Sequence, residues 1–220
     1  MGSAVARRLG SGRTLILADH SRERLDRVVT ELGAEGYAAQ GVPTDVRDRA
    51  PVERLARTAA ERGRITAVVH TAGVAAATAS AGRILDVDLL GTVYVIEEFE
   101  KVAVRGTSLV CVAGLAGHMA SIGGEDEAAL ATAPAEELLG LKAVTALGDD
   151  PTAAYILAKR ANHVRVQAAA LALEPARRPY QQPGQRGRAA HRVPDPVVGR
   201  QVRDRAARGD CCGGAARRAV

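Results

Sequence analysis

Thr14-Leu15-Ile16-Leu17-Ala18-Asp19 is a short apolar run closed by an acid, the pattern of a strand buried in a parallel sheet. Ser21 then stands where a helix N-cap belongs, and Leu25, Val28, Val29 and Leu32 recur at helical spacing over residues 22–32. A second strand follows over 37–42, with Asp45-Val46 in the turn beyond it. Strand, helix and strand in that order read as a βαβ unit.

The alternation continues outward. Residues 3–9 have helical character and stop at Gly10 to Gly12. Pro51 suits the first turn of a helix running to about Glu61, and a third strand covers 65–70. Ile84, Val87, Leu90, Tyr94 and Ile96 mark a long helix over about 79–102, and a fourth strand covers 108–112. A Gly-, Ala- and acid-rich stretch over 118–150 is predicted to hold one short helix at about 134–141. A strong helix follows over 152–173. The expected fold is α/β, a Rossmann-like doubly wound parallel sheet.

Composition agrees. Hydrophobic residues make up 47% and aromatics only 2%, so the core must be built from Ala, Val, Leu and Ile. No run of 18 apolar residues and no signal-peptide pattern occurs, which predicts a soluble, cytoplasmic chain with no membrane partner. Cys111, Cys211 and Cys212 have neither disulfide-framework nor metal-site spacing, so no metal is expected, and Cys111 reads as a small buried hydrophobe.

The net charge of +5 is uneven: residues 174–220 hold 11 Arg against 4 acids, which leaves residues 1–173 at −2. Periodicity vanishes beyond Leu173, and Pro stands at 175, 179, 183, 194 and 196. That tail is predicted to be disordered. No aromatics alternate with its arginines, so nucleic acid is not an expected partner.

Tyr155-Ile156-Leu157-Ala158-Lys159 places a phenol and an ammonium at i and i+4 on one helix face. A nearby ammonium favours the phenolate, which equips Tyr155 for proton transfer. With His70-Thr71-Ala72-Gly73 after the third strand, and with the order of elements, this motif resembles the short-chain dehydrogenase/reductase family across residues 1–173. The resemblance implies hydride exchange between a nicotinamide cofactor and a small alcohol or ketone, with Tyr155 moving the hydroxyl proton and Lys159 also holding ribose hydroxyls. A subgroup with a long insertion before the Tyr-Lys helix shares a Gly117-His118-Met119-like start and a Glu136-Glu137-Leu138-Leu139-like segment. By that resemblance the insertion lies over the substrate cleft; read alone, it is a surface excursion.

The same resemblance assigns the remaining residues. Gly2 corresponds to the last glycine of the phosphate-binding loop, with the preceding strand and two glycines absent and a true start expected some ten residues upstream. Asp19 is expected to bind both adenosine ribose hydroxyls and to favour NAD over NADP. Asp45 and Val46 correspond to the adenine contacts, and Ala72 and Gly73 to backbone that passes close to the cofactor. His70 reads as a structural substitute. Asp88 stands where the family carries an Asn and is expected to hold a relay water. Gly114 stands where the family carries a catalytic Ser, which predicts impaired activity, or a relic that binds cofactor weakly or acts only by association. The family's elements after the Tyr-Lys helix are absent beyond Leu173, and the tail resembles a gene read out of frame. The fold is therefore expected to be incomplete at both ends. The two long helices are expected to support a homodimer or homotetramer.

Overall fold

The computed structural model of the chain describes residues 1–173. The predicted disorder of 174–220 lies outside the described residues, as do Cys211 and Cys212. Four strands alternate with helices. Helix α1 (Gly2–Leu9) precedes β1 (Thr14–Asp19), α2 (Arg22–Ala34), β2 (Ala38–Pro43), α3 (Arg49–Glu61) and β3 (Ala67–His70). A continuous helical stretch then comprises α4 (Ala81–Ile84), a π-helical turn (Leu85–Leu90) and α5 (Gly91–Glu100). Strand β4 (Ser108–Cys111) and a 3₁₀ turn (Leu115–His118) lead to α6 (Gly124–Thr132), α7 (Ala135–Leu138), α8 (Lys142–Thr145) and α9 (Pro151–Leu173).

Local chemistry accounts for the helix starts. The Ser21 hydroxyl accepts from Arg24 N–H at 3.3 Å, and the Asp48 carboxylate accepts from Ala50 N–H at 3.0 Å, each satisfying an otherwise orphaned donor. Pro51 falls in the first turn of α3, where its missing N–H costs nothing.

Both strand pairs are parallel: β1 with β2 in the register Thr14↔Ala38 to Asp19↔Pro43, and β3 with β4 from Ala67↔Ser108 to His70↔Cys111. They form two separate two-stranded ribbons, and among the described residues no strand lies between β1 and β3. The consequence is visible in burial. No residue of β1 is buried, although Leu15, Ile16 and Leu17 are apolar, and Val110 in β4 is 50% exposed. Cys111 is likewise only half-buried, with its thiol pushed up to about 11 by desolvation.

The main core therefore lies among the helices, not across the sheet. Ile84, Leu89, Val93, Leu130, Leu138 and Leu157 are all buried in one cluster. The stretch 118–150 contributes to this cluster: it folds as three helices where one was predicted, and its Leu130, Leu138 and Val144 are core residues. The surface-excursion reading is thus overturned. The Arg165 guanidinium, buried on α9, donates to Leu130 O at 2.6 Å and also to Ala133 O. It satisfies the carbonyls at the end of α6 and fastens the stretch 118–150 to the Tyr-Lys helix. Ala154, Ala158 and Ala161 of α9 are consumed in this same core, so the small-residue face faces the chain's own helices.

Candidate active site at the mouth of a split sheet

The residues that sequence reading singled out come from several elements. Gly2, Asp19, Asp45, Val46, Ala72 and Gly73 all line one cavity of about 830 Å³. Gly2 opens α1 beside the end of β3, where a Cβ on it would stand 3.1 Å from Thr71 Oγ1. Asp19 ends β1. Its Oδ1 accepts from Ser21 N–H at 2.9 Å, while Arg24 Nη1 lies 3.5 Å from Oδ2 and His20 Nδ1 lies 3.3 Å from Oδ1. The carboxylate is fixed at the rim by its own neighbours. Asp45 is engaged more fully: Arg47 donates to Oδ2 from Nη2 at 2.6 Å and Nε at 3.0 Å, and this guanidinium holds the carboxyl below the usual range.

A buried ion pair lies next to that rim. Tyr155 is half-buried on α9, and the Lys159 ammonium sits 5.2 Å from its ring centroid, one turn along the same face. Lys159 Nζ is 3.5 Å from Asp88 Oδ2, with side-chain exposures of 7% and 0%. Asp88 belongs to the π-helical turn, an irregularity that concentrates at functional sites and that the smooth apolar spacing of 84–96 did not reveal. Its Oδ1 accepts from Val74 N–H at 2.9 Å, which ties the loop after β3 to the helix; its Oδ2 has no hydrogen-bond partner. Burial raises the Asp88 carboxyl, and Lys159 and Val74 N–H act against that rise. Gly73 closes the group: a Cβ there would meet Asp88 Oδ1 at 2.9 Å and Lys159 Nζ at 3.5 Å. Gly73, Asp88, Lys159 and Tyr155 thus form one constellation at the edge of the cavity.

His70 and Thr92 add a pair that the sequence did not announce. Thr92 Oγ1 donates to Asp88 O at 2.9 Å, so at 3.1 Å it receives the Nε2–H of a neutral His70. Burial pushes the imidazole down to about 4, with the Lys159 charge adding to the shift. The unfolded chain then takes up a proton below the ordinary value of 6.5 that the folded chain refuses until about 4. Stability is expected to fall across that window as pH drops, by about 3 kcal/mol in total. Urea denaturation of His70→Gln between pH 7 and 4.5 checks this: the variant should lose less stability over the interval than the parent, and equal slopes would show that His70 contributes nothing.

Gly114 stands apart chemically. It precedes the 3₁₀ turn with φ 94° and ψ 169°, a region essentially restricted to glycine, and it offers no hydroxyl. Gly117 in that turn lies against α9; a Cβ on it would meet Lys159 O at 2.7 Å, so the turn packs directly on the backbone of the Tyr-Lys helix. No group of three or more metal-ligating side chains occurs among the described residues, and no described helix is long and apolar enough to cross a membrane.

Comparison with known proteins places this geometry. Residues 1–137 match the family model described as enoyl-(acyl carrier protein) reductase. A short-chain dehydrogenase/reductase of Alternaria brassicicola is 30% identical over 174 residues, 78% of this chain and 63% of that protein. The 2,3-dihydro-2,3-dihydroxybenzoate dehydrogenase of Bacillus subtilis is 43% identical over 76 residues, 34% of this chain and 29% of that protein. The chain therefore spans less than two thirds of the curated relatives it matches. Among solved structures, a metagenomic short-chain oxidoreductase in complex with NADP superposes with a TM-score of 0.58 at 22% identity, covering 79% of this chain and 72% of that one. A Serratia marcescens short-chain dehydrogenase/reductase double mutant does so with a TM-score of 0.58 at 18% identity, over 79% and 64%. These likenesses establish the fold, and the match over 1–137 establishes the lineage: the chain belongs to the short-chain dehydrogenase/reductase family.

Proposed function

We propose that this chain is an oxidoreductase that exchanges a hydride between a nicotinamide dinucleotide and a small alcohol or ketone. The observation that carries the reading is the junction of Tyr155, Lys159, Asp88 and Gly73 beside a cavity lined by Gly2, Asp19, Asp45 and Val46. The residues present fit a dinucleotide. Gly2 and Gly73 bring backbone without side chains to the rim, and the Asp19 and Asp45 carboxylates are acceptors of the kind that ribose hydroxyls and an adenine amino group require. When bound, the nicotinamide supplies or accepts the hydride. Tyr155 takes the hydroxyl proton of the alcohol, or returns it to the carbonyl oxygen, with Lys159 one turn along the same face.

Asp19 selects NAD, because a carboxylate accepts from two ribose hydroxyls and repels a 2′-phosphate. Calorimetric titration with NAD and NADP tests both the cofactor and its choice. The parent should bind NAD at least about tenfold more tightly, and Asp19→Ser should invert that order by freeing the Arg24 guanidinium. Failure to bind either dinucleotide overturns the reading for this chain.

One observation favours the second reading, a family fold with little or no turnover: the position of the expected serine is Gly114. Loss of one donor to the developing oxyanion costs about 10²–10³ in rate. The backbone adds a physical obstacle to repair. Gly114→Ser finds open space but must hold φ at 94°, at a cost of about 1–3 kcal/mol. The substitution is therefore expected to lower the melting temperature without restoring full activity, which thermal unfolding and NADH formation on secondary alcohols would show together.

A further inference from the structure

Both ends of the segment from His70 to Val74 are fastened to one residue. At its start the buried His70 imidazole meets Thr92 Oγ1 at 3.1 Å, and that hydroxyl donates to Asp88 O at 2.9 Å. At its end Val74 N–H donates to Asp88 Oδ1 at 2.9 Å. Between the two ends, Thr71, Ala72 and Gly73 line the cavity, and Ala72 and Gly73 are exposed. Strand β3 stops at His70, so the exposed backbone begins where the first fastening stands.

Asp88 needs that support. Its Oδ2 lies 3.5 Å from Lys159 Nζ and has no hydrogen-bond partner, whereas a charge-assisted N–H···O bond closes to about 2.7–2.9 Å. The pair does not lock itself, and its geometry is inherited from whatever holds the π-helical turn. A threonine hydroxyl bonded back to the carbonyl one turn earlier is common on helices, but alone it leaves the acceptor side of the oxygen open. Here His70 fills that side. With its donor spent on Asp88 O, the hydroxyl can only receive a bond from the ring. Burial keeps the imidazole neutral down to about 4, so the bond persists across the neutral range. Thr92 is 1% exposed, which leaves water no room to replace either partner.

We propose that His70 and Thr92 are positioning residues. With the Val74–Asp88 bond they staple the segment 70–74 to the π-helical turn, and so set both the backbone at Ala72 and Gly73 and the Asp88–Lys159 pair. Gly73 couples the two parts, since a Cβ there would meet Asp88 Oδ1 at 2.9 Å and Lys159 Nζ at 3.5 Å. The service of that backbone to a dinucleotide rests on the oxidoreductase reading; the staple itself does not.

Thr92→Val keeps the volume and removes the hydroxyl, orphaning the His70 N–H and the Asp88 carbonyl, while Thr92→Ser returns the hydroxyl without the methyl. In the full-length protein without cofactor, amide exchange at Val74 should quicken at least about tenfold in the valine variant, relative to Leu32 in α2. The serine variant should stay within about threefold of the parent. The Lys159 ammonium protons, followed by ¹⁵N NMR, should exchange with water faster in the valine variant and recover in the serine one. His70→Phe reaches the same staple from its other side and should quicken Val74 in the same sense, which decides the matter if Thr92→Val does not fold. Calorimetric titration with NAD reads the consequence, at least about fivefold weaker binding for Thr92→Val and near-parent binding for Thr92→Ser. A parent that binds no dinucleotide, with Val74 still quickened in the valine variant, would keep the staple and remove the oxidoreductase reading. Unchanged exchange at Val74, equal acceleration at Val74 and Leu32, a serine variant as loose as the valine one, or NAD affinity equal in parent and Thr92→Val would each overturn the proposal.

Discussion

Tyr155→Phe is expected to abolish measurable hydride transfer, lowering turnover by about 10²–10⁴-fold, while dinucleotide affinity stays within about a factor of two. The ring fills the same half-buried place on α9 in both proteins, so the substitution removes one hydroxyl and no packing. Lys159 keeps its place 3.5 Å from Asp88, and Gly73 stays packed against both, so the cavity rim is untouched. Initial rates with a secondary alcohol, together with a calorimetric titration, separate the two effects. Equal turnover in parent and variant would remove Tyr155 from the chemistry. Equal but vanishing turnover with intact binding would favour the non-catalytic reading that Gly114 already suggests.

Asp88→Ala should produce the largest loss of stability among single changes at the site, about 3–5 kcal/mol. The carboxylate is fully buried; its removal orphans the Val74 N–H and leaves the Lys159 ammonium, 7% exposed, without its partner. Asp88→Asn keeps an acceptor at 2.9 Å from Val74 N–H and should lose clearly less. Because burial raises the Asp88 carboxyl, its contribution to stability is present at low pH and declines as pH rises above the ordinary carboxylate value of 3.8. The alanine penalty measured by urea denaturation should therefore depend on pH, and the asparagine variant should show a flatter profile than the parent on the acid side. Equal stability of all three proteins would mean that water, not Lys159, meets the carboxylate.

Much of this architecture was legible because the relevant signals are local. The apolar run 14–18 with Ser21 behind it gave the first strand and the capped helix, and the spacing of Tyr155 and Lys159 put both on one face of α9. The fold of the stretch 118–150 was not legible. Two of its three helices are only four residues long, and what holds them is tertiary: the buried Leu130 and Leu138 and the Arg165 fork onto Leu130 O and Ala133 O. The π-helical turn was equally hidden, since an extra residue in a turn leaves the apolar spacing on either side intact. Asp88 was placed in the site by resemblance alone, and its pairing with Lys159 needed the fold to appear.

Sequence by itself determined the order of strands and helices, the parallel sense of their pairing, the lineage and the Tyr155–Lys159 pair, because each rests on neighbours within a few residues or on one crossover helix. Only the tertiary structure decided that the sheet is two ribbons with a gap between β1 and β3, that the stretch 118–150 is core, and that Asp88 pairs with Lys159. Those outcomes depend on which backbone edges and buried charges find partners across the chain, and pairing over such distances leaves no period in the sequence.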